Sequence, residues 1–132
     1  MATKRSELRE KCMIILYQIS ICQKQKMDYN VEEIIDENLE IDNEFVRDIV
    51  YGVIAHEDEI IALANANMNN WNLERIDKTG AAILKMAIYE LKYTDTPQIV
   101  VINEAIELAK KYSDDAVRKI INAVLDRLIK ED

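Results

Sequence analysis

The stretch AILKMAIYELKYTDTPQIVVINEAIELAKKY, residues 82–112, contains the pattern that decides the fold. In its first part apolar side chains recur every three or four residues, which is the spacing of one face of an α-helix. They are Ala82, Ile83, Met86, Ala87 and Leu91. Thr96-Pro97 then predicts the start of a second helix, with Thr96 as N-cap and Pro97 at the first helical position. The stretch therefore predicts two successive helices with a short turn between them.

The second of these helices carries Asn103 and Glu104 in its middle, although Asn is a mediocre residue for a helix interior. Both fall outside the arc that a helical wheel predicts to be buried, as does the apolar Val100. That arc is formed by Ile102, Ala105, Ile106, Ala109 and Tyr112. We interpret Asn103 as a residue that hydrogen-bonds to a neighbouring loop or contacts a partner, and Val100 as a further candidate contact.

Apolar stripes of the same spacing extend over almost the whole chain, and polar caps separate them. Gly52 and His56 mark a bend or a break, and NNWNLERID, residues 69–77, is a connector that holds the only Trp. The predicted N-caps are Thr3 or Ser6, Asn30, Asp42 or Asn43, and Ser113 or Asp114. We therefore predict an all-α fold of about seven packed helices in one domain, residues 1–132.

The composition fits a helical domain without a membrane segment. Only two Gly and one Pro occur in 132 residues, and no apolar run approaches the ~20 residues that span a bilayer. Cys12 and Cys22 lie about 15 Å apart along one predicted helix, so they cannot pair and are predicted to be buried thiols. We expect a cytoplasmic protein.

The net charge of −8 is unevenly distributed. Residues 28–59 hold 12 acids and one base, a net of −11, whereas the rest of the chain holds 13 acids and 16 bases, a net of +3. The acidic total therefore leaves room for a basic surface elsewhere.

The sequence contains none of the residue combinations that usually form an active site. The chain has one His, and its two glycines are too far apart for a phosphate-binding loop. Glu104 and Glu107 share a helix face, but a di-iron site also needs Glu-x-x-His motifs, which are absent. We therefore predict no catalytic residue, no metal and no cofactor.

Clusters of cations are the more informative feature. They comprise Lys4, Arg5, Arg9, Lys11, Lys110, Lys111, Arg118 and Lys119. Cations on helix surfaces are often only solvated charge, but they can also hold phosphates with little sequence information. Single-stranded RNA fits better than duplex DNA, because no recognition helix stands out. Tyr17 and Tyr112 could stack on bases or belong to the core.

Five segments in register resemble the NusB family of bacterial transcription antitermination factors, and together they cover nearly the whole chain. They are RExxxxxLYQ at 9–18, FVRDIVYGVIAHEDEI at 45–60, NWNLERI at 70–76 with AILKMAIYEL at 82–91, PQIVVINEAIELAKKY at 97–112, and KIINAVLD at 119–126. The resemblance implies two small helical bundles packed together. It also implies binding to the boxA element of nascent ribosomal RNA, in a heterodimer with the ribosomal protein NusE that supports elongating RNA polymerase. No cofactor is implied, and a homodimer stays open because some members form one.

The resemblance also implies an RNA-binding set. The family's basic N-terminal segment matches Lys4, Arg5 and Arg9, and a family lysine near the RNA matches Lys119. Ile120 stands where members usually have a phenylalanine near the RNA, so a stacking contact is lost, worth about 1–3 kcal/mol. The predicted set is Lys4, Arg5, Arg9, Arg118, Lys119 and Ile120.

A partner-binding set follows in the same way. Tyr17 matches an aromatic residue that faces NusE. Gly80 and Ala81 stand where members usually have an acid and a base, and that acid belongs to the NusE-facing surface. The predicted set is Tyr17, Gly80, Asn103 and Glu104. The alternative to the RNA-binding factor is a helical protein-interaction adaptor of the same fold with little RNA affinity, which the net charge and Ile120 favour.

Overall fold

The computed structural model describes residues 4–130, and in this range it consists of seven α-helices and no strand. The helices are α1 (Lys4–Lys24), α2 (Val31–Asn38), α3 (Glu44–Ala55), α4 (Glu57–Ala66), α5 (Lys78–Tyr93), α6 (Gln98–Tyr112) and α7 (Asp115–Lys130). The prediction of an all-α fold of about seven helices is confirmed. None of these helices is long and apolar enough to cross a membrane.

Helix α5 is the centre of the fold. It packs against α1, α3, α4, α6 and α7, and its residues 80–84 and 86–90 are all buried. A helix that is apolar nearly all round is buried on every side, which explains why the stretch at 82–91 organises the chain. The helices before α5 and the two after it form two small bundles that share it, as the resemblance implied.

Helix starts follow the polar residues that the sequence offers. Asn30 accepts a hydrogen bond from the backbone of α2 at 3.1 Å, Asn43 from α3 at 3.2 Å and Asp114 from α7 at 2.9 Å. Each satisfies a backbone N–H that lacks a partner inside the helix. His56 separates α3 from α4, so the predicted break lies there.

Two predicted caps are wrong. Helix α6 begins after Pro97, which is itself the N-cap residue, and the Thr96 hydroxyl instead lies 3.1 Å from that of Thr94. Ser6 lies inside α1, because that helix already includes Lys4. The alternative cap, Thr3, lies outside the described residues.

The buried face of α6 is rotated relative to the predicted arc. Ile102 and Ile106 are only half-buried and Tyr112 is exposed. The buried residues are Val101, Ala105, Leu108 and Ala109. Apolar residues at 99–102 cover more than one face of this helix, so periodicity alone could not fix the centre of the arc. Asn103 is exposed in either case.

The two cysteines are both free thiols. Cys12 is buried, and burial raises the pKa of its thiol, so it behaves as a small apolar side chain. Cys22 is only half-buried, which corrects the prediction for that residue.

Gly80 serves close packing and does not belong to a partner surface. It is buried in the first turn of α5, where a Cβ atom would lie 2.5 Å from Cγ1 of Val117 on α7. The neighbouring Ala81 is buried as well. The prediction that Gly80 contacts a partner is therefore wrong, because it offers neither a side chain nor an exposed surface.

We expect Gly80→Ala to destabilise the protein by about 1–3 kcal/mol, the usual cost of overpacking. This would outweigh the gain of about 1 kcal/mol from the better helix propensity of Ala. Urea unfolding followed by circular dichroism measures the difference. The double variant Gly80→Ala/Val117→Ala removes the clashing methyl groups, so Gly80→Ala should cost less in that background. Equal costs in both backgrounds would contradict the close-packing role.

Candidate nucleic-acid interface

Arg9 forms a buried ion pair with Glu90. Its Nε and one terminal nitrogen donate to the two carboxylate oxygens at 2.7 and 2.9 Å, and the side chains are only 5% and 2% exposed. These hydrogen bonds raise the pKa of the Arg9 guanidinium against the opposing effect of burial. The prediction that Arg9 holds phosphate is therefore contradicted, because a phosphate would have to replace Glu90 in the interior.

Lys4 and Arg5 are the exposed cations in the first turn of α1. The Arg5 guanidinium carbon lies 4.1 Å above the ring centre of Phe45, and that of Arg9 lies 5.2 Å from the same centre. The cation–π contact holds the Arg5 guanidinium against α3 while its residue stays exposed. This turn therefore presents two cations on a fixed support.

The second predicted RNA cluster lies at the start of α7. Lys119 is exposed and Ile120 is half-buried. Arg118 approaches Asp115 one turn earlier, with 3.5 Å between the nitrogen and the oxygen. Arg118 is half-buried and Asp115 is exposed. A pair at the surface contributes little to stability, so Arg118 can exchange Asp115 for a phosphate at small cost.

Lys119 and Ile120 belong to a groove of about 260 Å³ between α7 and the segment that follows α4. Its lining contains no carboxylate and includes Asn67, Asn69, Trp71, Lys119, Ile120 and Arg127. Sequence reasoning missed Trp71 and Arg127. The sequence did offer one signal for Trp71. A large apolar side chain in a polar connector has no helix face to pack with, which indicates a surface role.

The two cationic surfaces lie at different levels of α5. Arg9 meets Glu90 near the C-terminal end of α5, and Val117 packs on Gly80 in its first turn. The ten residues between these positions correspond to about 15 Å of helix. Lys4 and Arg5 therefore lie near the level of Glu90 on α5, whereas the start of α7 lies near its first turn.

The predicted partner residues are also divided. Glu104 is half-buried and accepts a hydrogen bond from the Ser6 hydroxyl at 2.6 Å. Tyr17 is 37% exposed and lies eleven residues beyond Ser6, about 16 Å along α1. Asn103 forms no side-chain hydrogen bond with the described residues, so its interpretation as a loop tie is wrong. Contact with a partner stays a prediction for Asn103, as it does for the exposed Val100.

Glu10, Lys111 and Tyr112 connect α1 to the end of α6. Lys111 Nζ lies 2.9 Å from a Glu10 oxygen, and the Tyr112 hydroxyl donates to the same carboxylate. The hydrogen bond from Tyr112, followed by that from Lys111, lowers the pKa of Glu10. Lys111 and Tyr112 therefore already have a partner within the fold.

Among residues 4–130, no group of three or more His, Cys, Asp or Glu side chains is placed to hold a metal ion. Seven helices around a buried Arg–Glu pair, with a cationic groove on the last helix, define a small all-α domain with a basic surface site. Residues 6–130 match the NusB family, and the chain belongs to that family.

Relatives over the full length support this assignment. The chain is 41% identical over 130 residues to the transcription antitermination protein NusB of Exiguobacterium sp. strain AT1b, which covers 98% of this chain and 99% of the relative. It is 36% identical over 130 residues to the protein of the same name from Listeria innocua, with 98% of both chains covered.

Solved structures share the fold. T. maritima NusB is 31% identical and superposes with a TM-score of 0.86, covering 99% of this chain and 94% of that one. A crystal structure of antitermination factors NusB and NusE in complex with dsRNA contains a chain that superposes with a TM-score of 0.83 over 100% of both chains. That chain is 23% identical, so this likeness shows the fold alone.

We expect Glu90→Ala to cost about 3–5 kcal/mol of stability, because it leaves the Arg9 charge buried without a partner. Urea unfolding measures this loss. Glu107→Ala is the matched control, since Glu107 forms an exposed pair with Lys110, and it should cost less than ~1 kcal/mol. Equal losses in the two variants would contradict a buried pair.

The lowered pKa of Glu10 predicts that the stability of the protein depends on pH. A carboxyl whose pKa is lowered by folding adds stability above its unfolded pKa, here the ordinary value of 4.5, and this stability is lost as the pH falls through the folded pKa. The difference in stability between the wild type and Glu10→Gln, of less than ~1 kcal/mol, should therefore be constant from neutral pH to about 4.5 and shrink below it. Urea midpoints of both proteins across this range test the sign. A difference that grows in acid would contradict it.

Proposed function

We propose that this protein is a transcription antitermination factor. It binds the boxA element of nascent ribosomal RNA together with NusE and supports processive elongation by RNA polymerase in the cytoplasm. Membership of the NusB family and the name of its full-length relatives support the general function. The observation that carries RNA binding is the groove on α7, which contains Lys119 and Arg127 and no carboxylate in a chain of net charge −8.

The proposed RNA contacts are made by two surfaces. Lys4 and Arg5 hold phosphates at the start of α1, and Arg118 and Lys119 hold them at the start of α7, with Ile120 packed beside a base. Phosphate contacts of this kind set register and affinity and carry little sequence information. Arg9 acts indirectly, because its ion pair with Glu90 fixes the turn that presents Lys4 and Arg5.

The proposed NusE surface includes Tyr17, Asn103 and Val100, whose side chains are exposed on α1 and α6. Glu104 supports it, since it bonds to Ser6 and lies 3.9 Å from the Arg9 guanidinium. Ser6 is one residue from Arg5, so this hydrogen bond connects the proposed partner surface with the proposed RNA surface. A homodimer through the same exposed side chains is a second use of the surface.

The proposed mechanism is that of an adaptor. RNA held on the protein raises the local concentration of NusE near the polymerase without any chemical step. Binding of either RNA or NusE orders α1 and α6 and thereby favours binding of the other ligand. Each ligand must strengthen the binding free energy of the other by the same amount. RNA polymerase is thus reached indirectly, through the RNA and NusE.

The alternative is a protein-interaction adaptor with little affinity for RNA. The burial of Arg9 removes one predicted phosphate contact, and position 120 offers no aromatic ring for stacking. Both weaken RNA binding without changing the fold. The two functions differ in the salt dependence of RNA binding.

We expect a labelled single-stranded boxA RNA to bind with a log–log salt slope of roughly −2 to −3, as three or four phosphate contacts predict for a single strand. NusE should strengthen the binding. Arg118→Ala/Lys119→Ala should weaken it and reduce the slope by about 1.4. Fluorescence anisotropy at several salt concentrations measures both quantities.

The matched control is Lys24→Ala, which removes an exposed cation at the other end of α1 and should change neither quantity much. The same RNA as a duplex is a second comparison, because a structure with the same fold was solved with dsRNA. Absence of binding at low salt, even with NusE, would contradict RNA recognition and leave the adaptor function.

A further inference from the structure

Trp71 takes part in none of the hydrogen bonds, ion pairs or ring contacts described so far. It is the only Trp of the chain and is 46% exposed, in the groove beside Lys119. We propose that Trp71 is a base-stacking residue and that this groove holds one unpaired nucleobase of the bound RNA. The inference rests on the proposed function and names the residue that would contact a base rather than a phosphate.

The segment that carries Trp71 is held rigidly from both sides. Met68 and Leu73 are buried in the core. Leu73 N donates to the side-chain oxygen of Asn65 at 2.9 Å, and Glu74 N donates to that of Asn72 at 3.0 Å. An exposed indole on a fixed support loses little conformational entropy when it stacks, which makes it suitable for holding a flat ligand.

The opposite wall of the groove is connected to this segment. A terminal nitrogen of Arg127 on α7 donates to the backbone oxygen of Asn67 at 2.6 Å. This hydrogen bond ties α7 to the segment that carries Trp71. The backbones that carry the indole and the Lys119 side chain are therefore connected before any ligand arrives.

The chemistry of the lining favours a nucleotide over an apolar peptide. Lys119 and Arg127 supply two positive charges, and the lining contains no carboxylate. Asn69 is exposed in the same groove and can donate and accept hydrogen bonds at a base edge. An aromatic ring beside cations that follow the backbone is the usual combination for single-stranded nucleic acid.

The position of the aromatic ring also fits this occupant. Helix α7 contributes no aromatic side chain to the groove, and the largest apolar residue that it places there is the aliphatic Ile120. The ring comes from the opposite wall, so a base inserted between the walls would have the indole on one side and Ile120 on the other. A duplex keeps its bases stacked on each other, and the groove therefore selects an unpaired base.

The single Trp makes the inference directly measurable. Titration with a single-stranded boxA RNA should quench the Trp71 fluorescence and shift its emission, because the base replaces water on the indole face. The same RNA carrying one abasic nucleotide at the stacked position should bind less tightly and leave the emission unchanged. A scan of the abasic position along the RNA identifies that nucleotide.

Affinity provides the second readout. In anisotropy titrations with labelled RNA, Trp71→Ala should weaken binding on the order of 5- to 150-fold, the effect of losing one stacked base. The salt slope should not change, because no phosphate contact is removed. Trp71→Phe should recover most of the affinity. Tyr29→Ala, which removes an exposed aromatic ring outside the groove, is the matched control and should bind like the wild type.

The outcomes separate this inference from the proposed function. Wild-type binding with the expected slope, together with an unchanged affinity of Trp71→Ala and no change in emission, would overturn base stacking and leave RNA binding intact. Failure of the wild type to bind RNA, even with NusE at low salt, would overturn both. Circular dichroism and urea midpoints of each variant verify that a loss of affinity does not come from unfolding.

Discussion

The buried pair of Arg9 and Glu90 determines how the helices of this protein fit together. Each charge loses several kcal/mol of hydration on burial, and only a partner in good geometry compensates for the loss. The two hydrogen bonds at 2.7 and 2.9 Å meet this requirement at one register of α1 against α5. Phe45 of α3 lies beside the guanidinium and Glu104 of α6 lies 3.9 Å from it. Side chains of four helices, α1, α3, α5 and α6, therefore meet at this one ion pair.

The same contact sets the surface above it. Arg5 stacks on the ring that also lies beside Arg9, and Ser6 donates to Glu104. The first turn of α1 would otherwise be an amphipathic end with little to hold it, since helix ends fray when tertiary contacts are few. The turn that carries Lys4 and Arg5 is held in place because Arg9, in the next turn, is buried against Glu90.

The fold was predictable because its signals are local. Apolar spacing located the helices, and Asn and Asp side chains next to them located three of the N-caps. The role of Arg9 was not predictable, because a cation in an N-terminal basic run resembles a phosphate ligand. Its partner lies 81 residues away. The available signal was Glu90, a lone acid in the otherwise apolar run of α5 between Met86 and Leu91.

Gly80 and Trp71 escaped prediction for the same reason. The neighbours that explain them, Val117 and Lys119, belong to α7 and come together with them only in the packed structure. A glycine at a helix start predicts flexibility from the sequence, whereas here it permits the close approach of two helices.

Helix α5 thereby fixes the distance between the two cationic surfaces. Arg9 docks α1 near one end of it, and Gly80 admits α7 at the other. The rise of an α-helix is fixed, so a ligand that engages Lys4 and Lys119 together must span a distance comparable to the ~15 Å between these levels. A flexible single strand can do this, and single-strand sites of several nucleotides are common. The geometry thus favours an extended ligand that contacts phosphates at two separate places over a compact anion bound at one.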